Sequence, residues 1–87
     1  MQEMGEWDRA RRGDALYMEG VVYLEDGLIE RARVSFVEAH RIIATSQGNN
    51  HLRGGIYRKL ARVERLDGHP LTAEILDRQA DELLCAH

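Results

Sequence analysis

The chain has 87 residues, a formal net charge of −3 at pH 7, and 44% hydrophobic and 31% charged residues. This length forms one small domain, and this composition is too apolar for a disordered protein. There is no apolar run of the roughly 18–20 residues that a membrane helix needs, and the N-terminus lacks the apolar stretch of a signal peptide. The single cysteine, Cys85, permits no internal disulfide. The sequence therefore predicts a cytoplasmic protein that does not associate with membranes.

Residues 1–12 carry a weaker helical pattern than the rest of the chain. Asp8 and Arg12 stand one helical turn apart and can pair, and Trp7 offers a large apolar ring for packing on a neighbour, together with Met4. We expect a short helix in this N-terminal segment. Gly13 is expected to break it or bend it away from the first main helix.

A first helical hairpin is predicted over residues 13–45. Asp14 is a candidate N-cap of its first helix, and Asp26-Gly27 ends that helix, because glycine readily adopts the left-handed backbone of a helix end. The second helix of the hairpin starts at Leu28. Its apolar residues recur at helical spacing and form one stripe: Leu28, Ala32, Phe36, Ala39 and Ile43.

The polar stretch TSQGNN leads into a second hairpin over residues 50–85. Its first helix runs from about His51 to Leu66 and stops at Asp67-Gly68. Its second helix begins at Pro70, where the missing N–H costs nothing. The two apolar stripes consist of Ile56, Leu60 and Val63, and of Ala73, Leu76, Ala80 and Leu83. The predicted fold is all-α, with four main helices in two antiparallel hairpins.

The two hairpins repeat the same pattern with an offset of 41 residues. The offset aligns the two Asp-Gly stops and places small residues at matching positions, where two antiparallel helices can approach closely. The aligned pairs are Gly20 with Ala61, Ala32 with Ala73, and Ala39 with Ala80.

The first copy resembles the tetratricopeptide repeat in the spacing of Gly20, Tyr23, Ala32, Phe36 and Ala39. Leu16 stands at the large first position of that repeat, and Glu19 replaces its leucine. The second copy is more divergent: Tyr57, Leu60, Ala61, Ala73 and Ala80 fit, whereas Glu64 and Asp77 replace aromatic residues. The period is longer than the usual length of about 34 residues, and in this it resembles the longer-helix repeats of bacterial regulators.

The resemblance implies a non-catalytic scaffold that binds a protein or peptide in a groove lined by the first helix of each hairpin. In the second hairpin that face carries Arg58, Arg62 and Arg65, which can clamp an acidic segment or a terminal carboxylate. A solvated basic face is the alternative interpretation of these arginines. In the first hairpin the matching positions form an apolar patch of Tyr17, Val21 and Leu24.

The first main helix is apolar nearly all round, so a single layer of two hairpins cannot bury it. Either the N-terminal segment with Trp7 folds over this helix or a second chain covers it. We favour a homodimer, because repeat arrays need about three units for stability and this chain has two.

A DNA-binding regulator is the alternative prediction. The stretch IYRKLARVERL resembles the second helix of Fis-like helix-turn-helix domains, which makes residues 53–66 a candidate DNA-contacting element with Arg58, Lys59 and Arg62 towards the duplex. The preceding stretch lacks the apolar first helix of such a motif, and the overall acidity of the chain opposes strong DNA affinity.

The sequence predicts neither catalysis nor a cofactor nor a metal site. The four histidines are too scattered for a helical metal pair, Cys85 and His87 offer two ligands at a chain end, and no phosphate-binding loop is present in the sequence. His40 is expected to pack partly buried, and His69 to lie in a turn. The patterns fit a secretion chaperone, an antiactivator or a phage-type inhibitor equally well, as a full-length chain or as one domain of a longer array.

Overall fold

The computed structural model describes residues 5–44 and 49–85, which form four α-helices. These are α1 (Glu6–Glu25), α2 (Ile29–Ile43), α3 (Asn50–Leu66) and α4 (Pro70–Cys85). α1 packs along α2 and α3 along α4, while α3 also contacts α1 and α2. The predicted all-α fold of two helical hairpins is confirmed. Thr45, the predicted end of the second helix, lies outside the described residues.

Residues 6–12 of the N-terminal segment are part of the first main helix, and Met4 lies outside the described residues. α1 continues from Glu6 through Gly13 to Glu25. Gly13 is buried, and a Cβ at this position would collide with the side chain of Ile43 in α2. The predicted interruption at Gly13 is therefore wrong, as is the predicted N-cap at Asp14. Glycine occupies this position because α2 leaves no room for a side chain. Close packing against Ile43, far along the chain, outweighs the low helix propensity of glycine.

Both hairpins turn in the same way. Gly27 and its counterpart 41 residues later have φ angles of 77° and 85°, in the left-handed region. In the first turn the backbone N–H of Leu28 donates to the carbonyl of Tyr23 at 2.9 Å, and in the second the N–H of His69 donates to the carbonyl of Glu64 at 2.7 Å. These are the hydrogen bonds of a Schellman helix end. The repeated Asp-Gly of the sequence is thus a repeated turn.

Small residues line the contact between the two helices of each hairpin. A Cβ at Gly20 would lie 2.6 Å from the ring of Phe36, so α1 approaches α2 as closely as the aromatic ring permits. The five predicted alanines are completely buried: Ala32, Ala39, Ala61, Ala73 and Ala80. The predicted role of these residues at the helix crossings is confirmed.

The repeat also extends beyond the positions that the sequence pattern identified. Gly13 and Gly54 are 41 residues apart and both are buried. A Cβ at Gly54 would lie 2.6 Å from Leu84 Cγ, and Leu84 in turn stands 41 residues after Ile43, the neighbour of Gly13. The same glycine-on-aliphatic contact therefore occurs near the open end of each hairpin.

Candidate protein-binding groove

A groove runs between α1 and α3, the first helices of the two hairpins. Val21, Leu24 and Glu25 line it from α1, and Lys59 and Arg62 line it from α3. Leu24 is buried and Val21 half-buried, so they form an apolar floor, whereas Arg62 is exposed at the rim. The structure thus brings together three of the six predicted binding residues, Val21, Leu24 and Arg62.

A second hollow lies one turn earlier along α1, with Tyr17 and Asp14 on one side and His51, Leu52 and Gly55 on the other. The ring of Tyr17 packs against the ring of Phe36, with ring centroids 5.8 Å apart. Burial, and secondarily the charge of Asp14, raises the pKa of Tyr17. The Tyr17 hydroxyl therefore stays protonated at neutral pH, and it can donate a hydrogen bond to a ligand here.

Arg58 and Arg65 are engaged inside the second hairpin. Arg58 donates to Asp81 at 2.6 Å, and Arg65 donates to Asp77 at 2.6 Å, both across to α4. Arg62 makes no ion pair with any of the described residues. The three arginines are therefore not one equally available basic stripe. Arg58 and Arg65 form exposed ion pairs with carboxylates of α4, whereas Arg62 pairs with none of the described residues.

The apolar surplus of α1 is exposed on a face that neighbours the predicted patch. Met18 and Val22 are 54% and 53% exposed, whereas Leu24 is only 9% exposed. The prediction that α1 has more apolar surface than the hairpins can bury is confirmed. The exposed apolar residues are Met18 and Val22, however, whereas Tyr17, Val21 and Leu24 of the predicted patch are buried or half-buried. Residues 6–12 extend α1 instead of folding over it, and Trp7 is exposed. The described part of the N-terminal segment therefore does not provide the predicted cover.

An ion-pair network joins the two hairpins at the end where the chain turns. Arg33 on α2 donates to Glu64 at 3.1 Å and to Asp67 at 2.7 Å, and it also pairs with Glu30. The hydrogen bond to Asp67, followed by those to Glu30 and Glu64, raises the pKa of Arg33. His69 lies 2.9 Å from Glu64 through Nδ1.

Side-chain ligand atoms of Glu64, Asp67 and His69 lie within 4.8 Å of one another, a spacing at which a metal ion can be held. The guanidinium of Arg33 already donates to both carboxylates. A metal ion at this position would have to displace that cation, so the geometry favours a structural role in joining the hairpins. The network is not evident in the sequence, because its members come from both hairpins.

His40 is half-buried, with its ring centroid 5.0 Å from that of Tyr57. Its Nε2 is buried and has no hydrogen-bond partner among the described residues. Desolvation, and secondarily the charge of Arg53, lowers the pKa of His40. The prediction of a packing role for this histidine is confirmed, since a neutral ring suits these surroundings.

The basic helix does not lie in a helix-turn-helix arrangement. α2, which precedes it, has 15 residues and packs along α1, and residues 44–49 separate α2 from α3. A helix-turn-helix has a turn of about 3–4 residues between its helices. DNA binding by residues 53–66 stays a prediction, in which Arg58 would have to exchange its ion pair with Asp81 for a contact to the duplex.

None of the described helices combines the length and the apolar composition that crossing a membrane requires. Comparison with family models, with curated proteins and with solved structures found no match. The tetratricopeptide resemblance therefore stays a prediction, and a functional proposal has to rest on the geometry of the groove.

Proposed function

We propose that this chain is a non-catalytic, cytoplasmic protein-interaction module that binds a segment of a partner protein in the groove between α1 and α3. The proposal rests on one observation: this groove combines an apolar floor, formed by Val21 and Leu24, with the cationic side chains of Lys59 and Arg62. Grooves between helices commonly receive a peptide or helix whose apolar side chains enter the groove.

The chemistry of the groove selects a segment that is apolar and acidic. A guanidinium grips a carboxylate through two parallel hydrogen bonds, so Arg62 favours an aspartate, a glutamate or a chain terminus. The neighbouring apolar side chain of the partner would bury surface on Val21 and Leu24, worth about 25 cal/mol per Å². Because α3 packs along α4, the helix that carries Arg62 is held in place before the partner arrives.

The proposal is tested with a defined peptide. Peptides are selected from a random display library for binding to the protein, and the strongest binder is synthesised with a fluorescent label. Anisotropy titrations then compare the wild type with Arg62→Glu. We expect the dissociation constant to rise by about tenfold or more, because an attraction of about 1–2 kcal/mol becomes a repulsion.

Arg78→Glu provides the matched control. Arg78 lies on α4, away from the groove, 76% exposed and weakly paired with Glu74 at 3.5 Å. This variant has the same charge change and should bind the peptide as the wild type does. Equal weakening in the two variants would assign the effect to net charge, and an unchanged affinity in Arg62→Glu would exclude the groove. A mobility shift of duplex DNA without any selectable peptide would favour the DNA-binding alternative.

A further inference from the structure

One face of α1 is exposed along its whole length. Its residues follow one another at spacings of four, four, three, four and three: Trp7, Arg11, Ala15, Met18, Val22 and Glu25. At these spacings the side chains project from the same side of a helix. Four of the six are apolar, whereas a helix face in contact with water alone is normally polar. Trp7 is 68% exposed, and Met18 and Val22 are more than half exposed.

No described part of the same chain covers this face. Gly13 and Gly20 turn the opposite side of α1 towards α2, and Tyr17 and Val21 turn a flank of it towards α3. α4 packs against α3 and makes no contact with α1 among the described residues. A cover has to come from another molecule.

The charges on this face are arranged to match a second copy of the same helix. Arg11 and Glu25 stand seven residues before and seven residues after Met18. In an antiparallel pair of α1 helices centred on Met18, Arg11 of each chain lies opposite Glu25 of the other. A parallel pair would instead bring like charges together. The guanidinium of Arg11 is already held on this face, 4.6 Å from the centre of the Trp7 ring.

We propose that the chain forms a two-fold symmetric homodimer in which the two α1 helices pack antiparallel, with Met18 against its own copy at the two-fold axis. An isologous contact of this kind is closed, so it ends at the dimer. It joins two hairpins from each chain into one assembly of four, which meets the requirement of repeat architectures for about three units. It also pairs Glu25, the acidic residue that lines the groove beside Lys59 and Arg62, with Arg11 of the second copy, and so offsets the negative charge that would oppose an acidic partner there.

Light scattering coupled to gel filtration tests the contact. The wild type should elute with twice the 10.0 kDa mass of one chain at tens of micromolar concentration. Met18→Glu should be monomeric and remain helical by circular dichroism, because Met18 is exposed within the monomer. Ile75→Glu is the matched control: Ile75 is 58% exposed on α4, and this variant should stay dimeric. A monomeric wild type, or a dimeric Met18→Glu, would overturn the proposal.

Charge exchange tests the orientation. Arg11→Glu should raise the dimer dissociation constant by about tenfold or more, as should Glu25→Arg. The double variant should recover most of the wild-type value, because each ion pair is restored with its charges reversed. Failure of this recovery would overturn the antiparallel register, even if the chain is dimeric.

Cysteine cross-linking tests the position of the axis. With Cys85→Ser as the background, since Cys85 is exposed, Met18→Cys should form a disulfide between chains under mild oxidation. Val37→Cys, at a residue 52% exposed on α2, should not. Cross-linking at both positions or at neither would contradict the proposed axis. Peptide affinity of the monomeric Met18→Glu variant separates this proposal from the groove, since a monomer can still bind the peptide.

Discussion

Two glycines in helix interiors should respond to alanine substitution in opposite directions. Gly20 lies against a fully buried aromatic ring, and a Cβ there would be 2.6 Å from Phe36 Cε1. At Gly55 in α3 the nearest atom would be Tyr17 Oη at 3.6 Å, an ordinary contact distance. Both substitutions gain about 0.5–1 kcal/mol from the better helix propensity of alanine.

The steric cost decides the difference between the two variants. Overpacking a core costs about 1–3 kcal/mol, and the ring of Phe36 is completely buried. Gly55→Ala should therefore raise the free energy of unfolding by about 0.5–1 kcal/mol. Gly20→Ala should lower it by up to about 2 kcal/mol, so the two variants should differ by roughly 1–3 kcal/mol.

Urea titrations followed by far-UV circular dichroism measure this difference, with all proteins at the same concentration. A change of about 1 kcal/mol corresponds to about 4–8 °C in Tm for a domain of this size, so thermal melts give an independent check. If Gly20→Ala were as stable as Gly55→Ala, the close approach of α1 to α2 at Phe36 would be refuted.

Three further substitutions probe the turns, the network and the buried histidine, each by chemical denaturation. Arg33→Ala should lower the free energy of unfolding by about 1–2 kcal/mol, since it removes the guanidinium that Glu64 and Asp67 share. Arg41→Ala should change little, because among the described residues Arg41 pairs with Glu38 of its own helix; equal effects would contradict a joining role for Arg33. Gly27→Ala should cost about 1–2 kcal/mol because φ is 77°, and an unchanged stability would contradict the left-handed turn. The lowered pKa of His40 means that the unfolded chain takes up a proton at a higher pH than the folded chain does. The contribution of His40 to the free energy of unfolding should therefore be fully present above the ordinary histidine pKa of about 6.5 and should be lost as the pH falls below it. His40→Gln should remove this part of the pH dependence, and an identical slope in both proteins would exclude His40 as its source.

The sequence predicted the two hairpins, the two Asp-Gly helix ends and the repeat, because these depend on local signals. Asp-Gly marks a helix end through backbone conformation, and the alanine spacing reports the contact between neighbouring helices. The prediction of a break at Gly13 is wrong because the glycine is required by its contact with Ile43, which lies 30 residues away in the chain. A comparison of the two copies would have found it, since Gly54 occupies the equivalent position.

The candidate site was predicted in part. Val21, Leu24 and Arg62 do lie together, but their surroundings depend on how α3 rotates against its neighbours. Partners on α4 decide which arginines are available, and one sequence does not show that Asp77 and Asp81 lie opposite Arg65 and Arg58. Likewise, a difference of one residue, about 100° around the helix, separates the exposed Met18 from the half-buried Tyr17.

Binding in the groove is tested most directly by a map of amide chemical shifts in ¹⁵N-labelled protein as the selected peptide is added. The largest changes should fall on α1 and α3 around Val21, Leu24 and Arg62. Leu71 and Ile75, which are exposed on α4, should keep their positions. Changes centred on α4, with none at Val21 or Arg62, would contradict a binding groove between the first helices of the two hairpins.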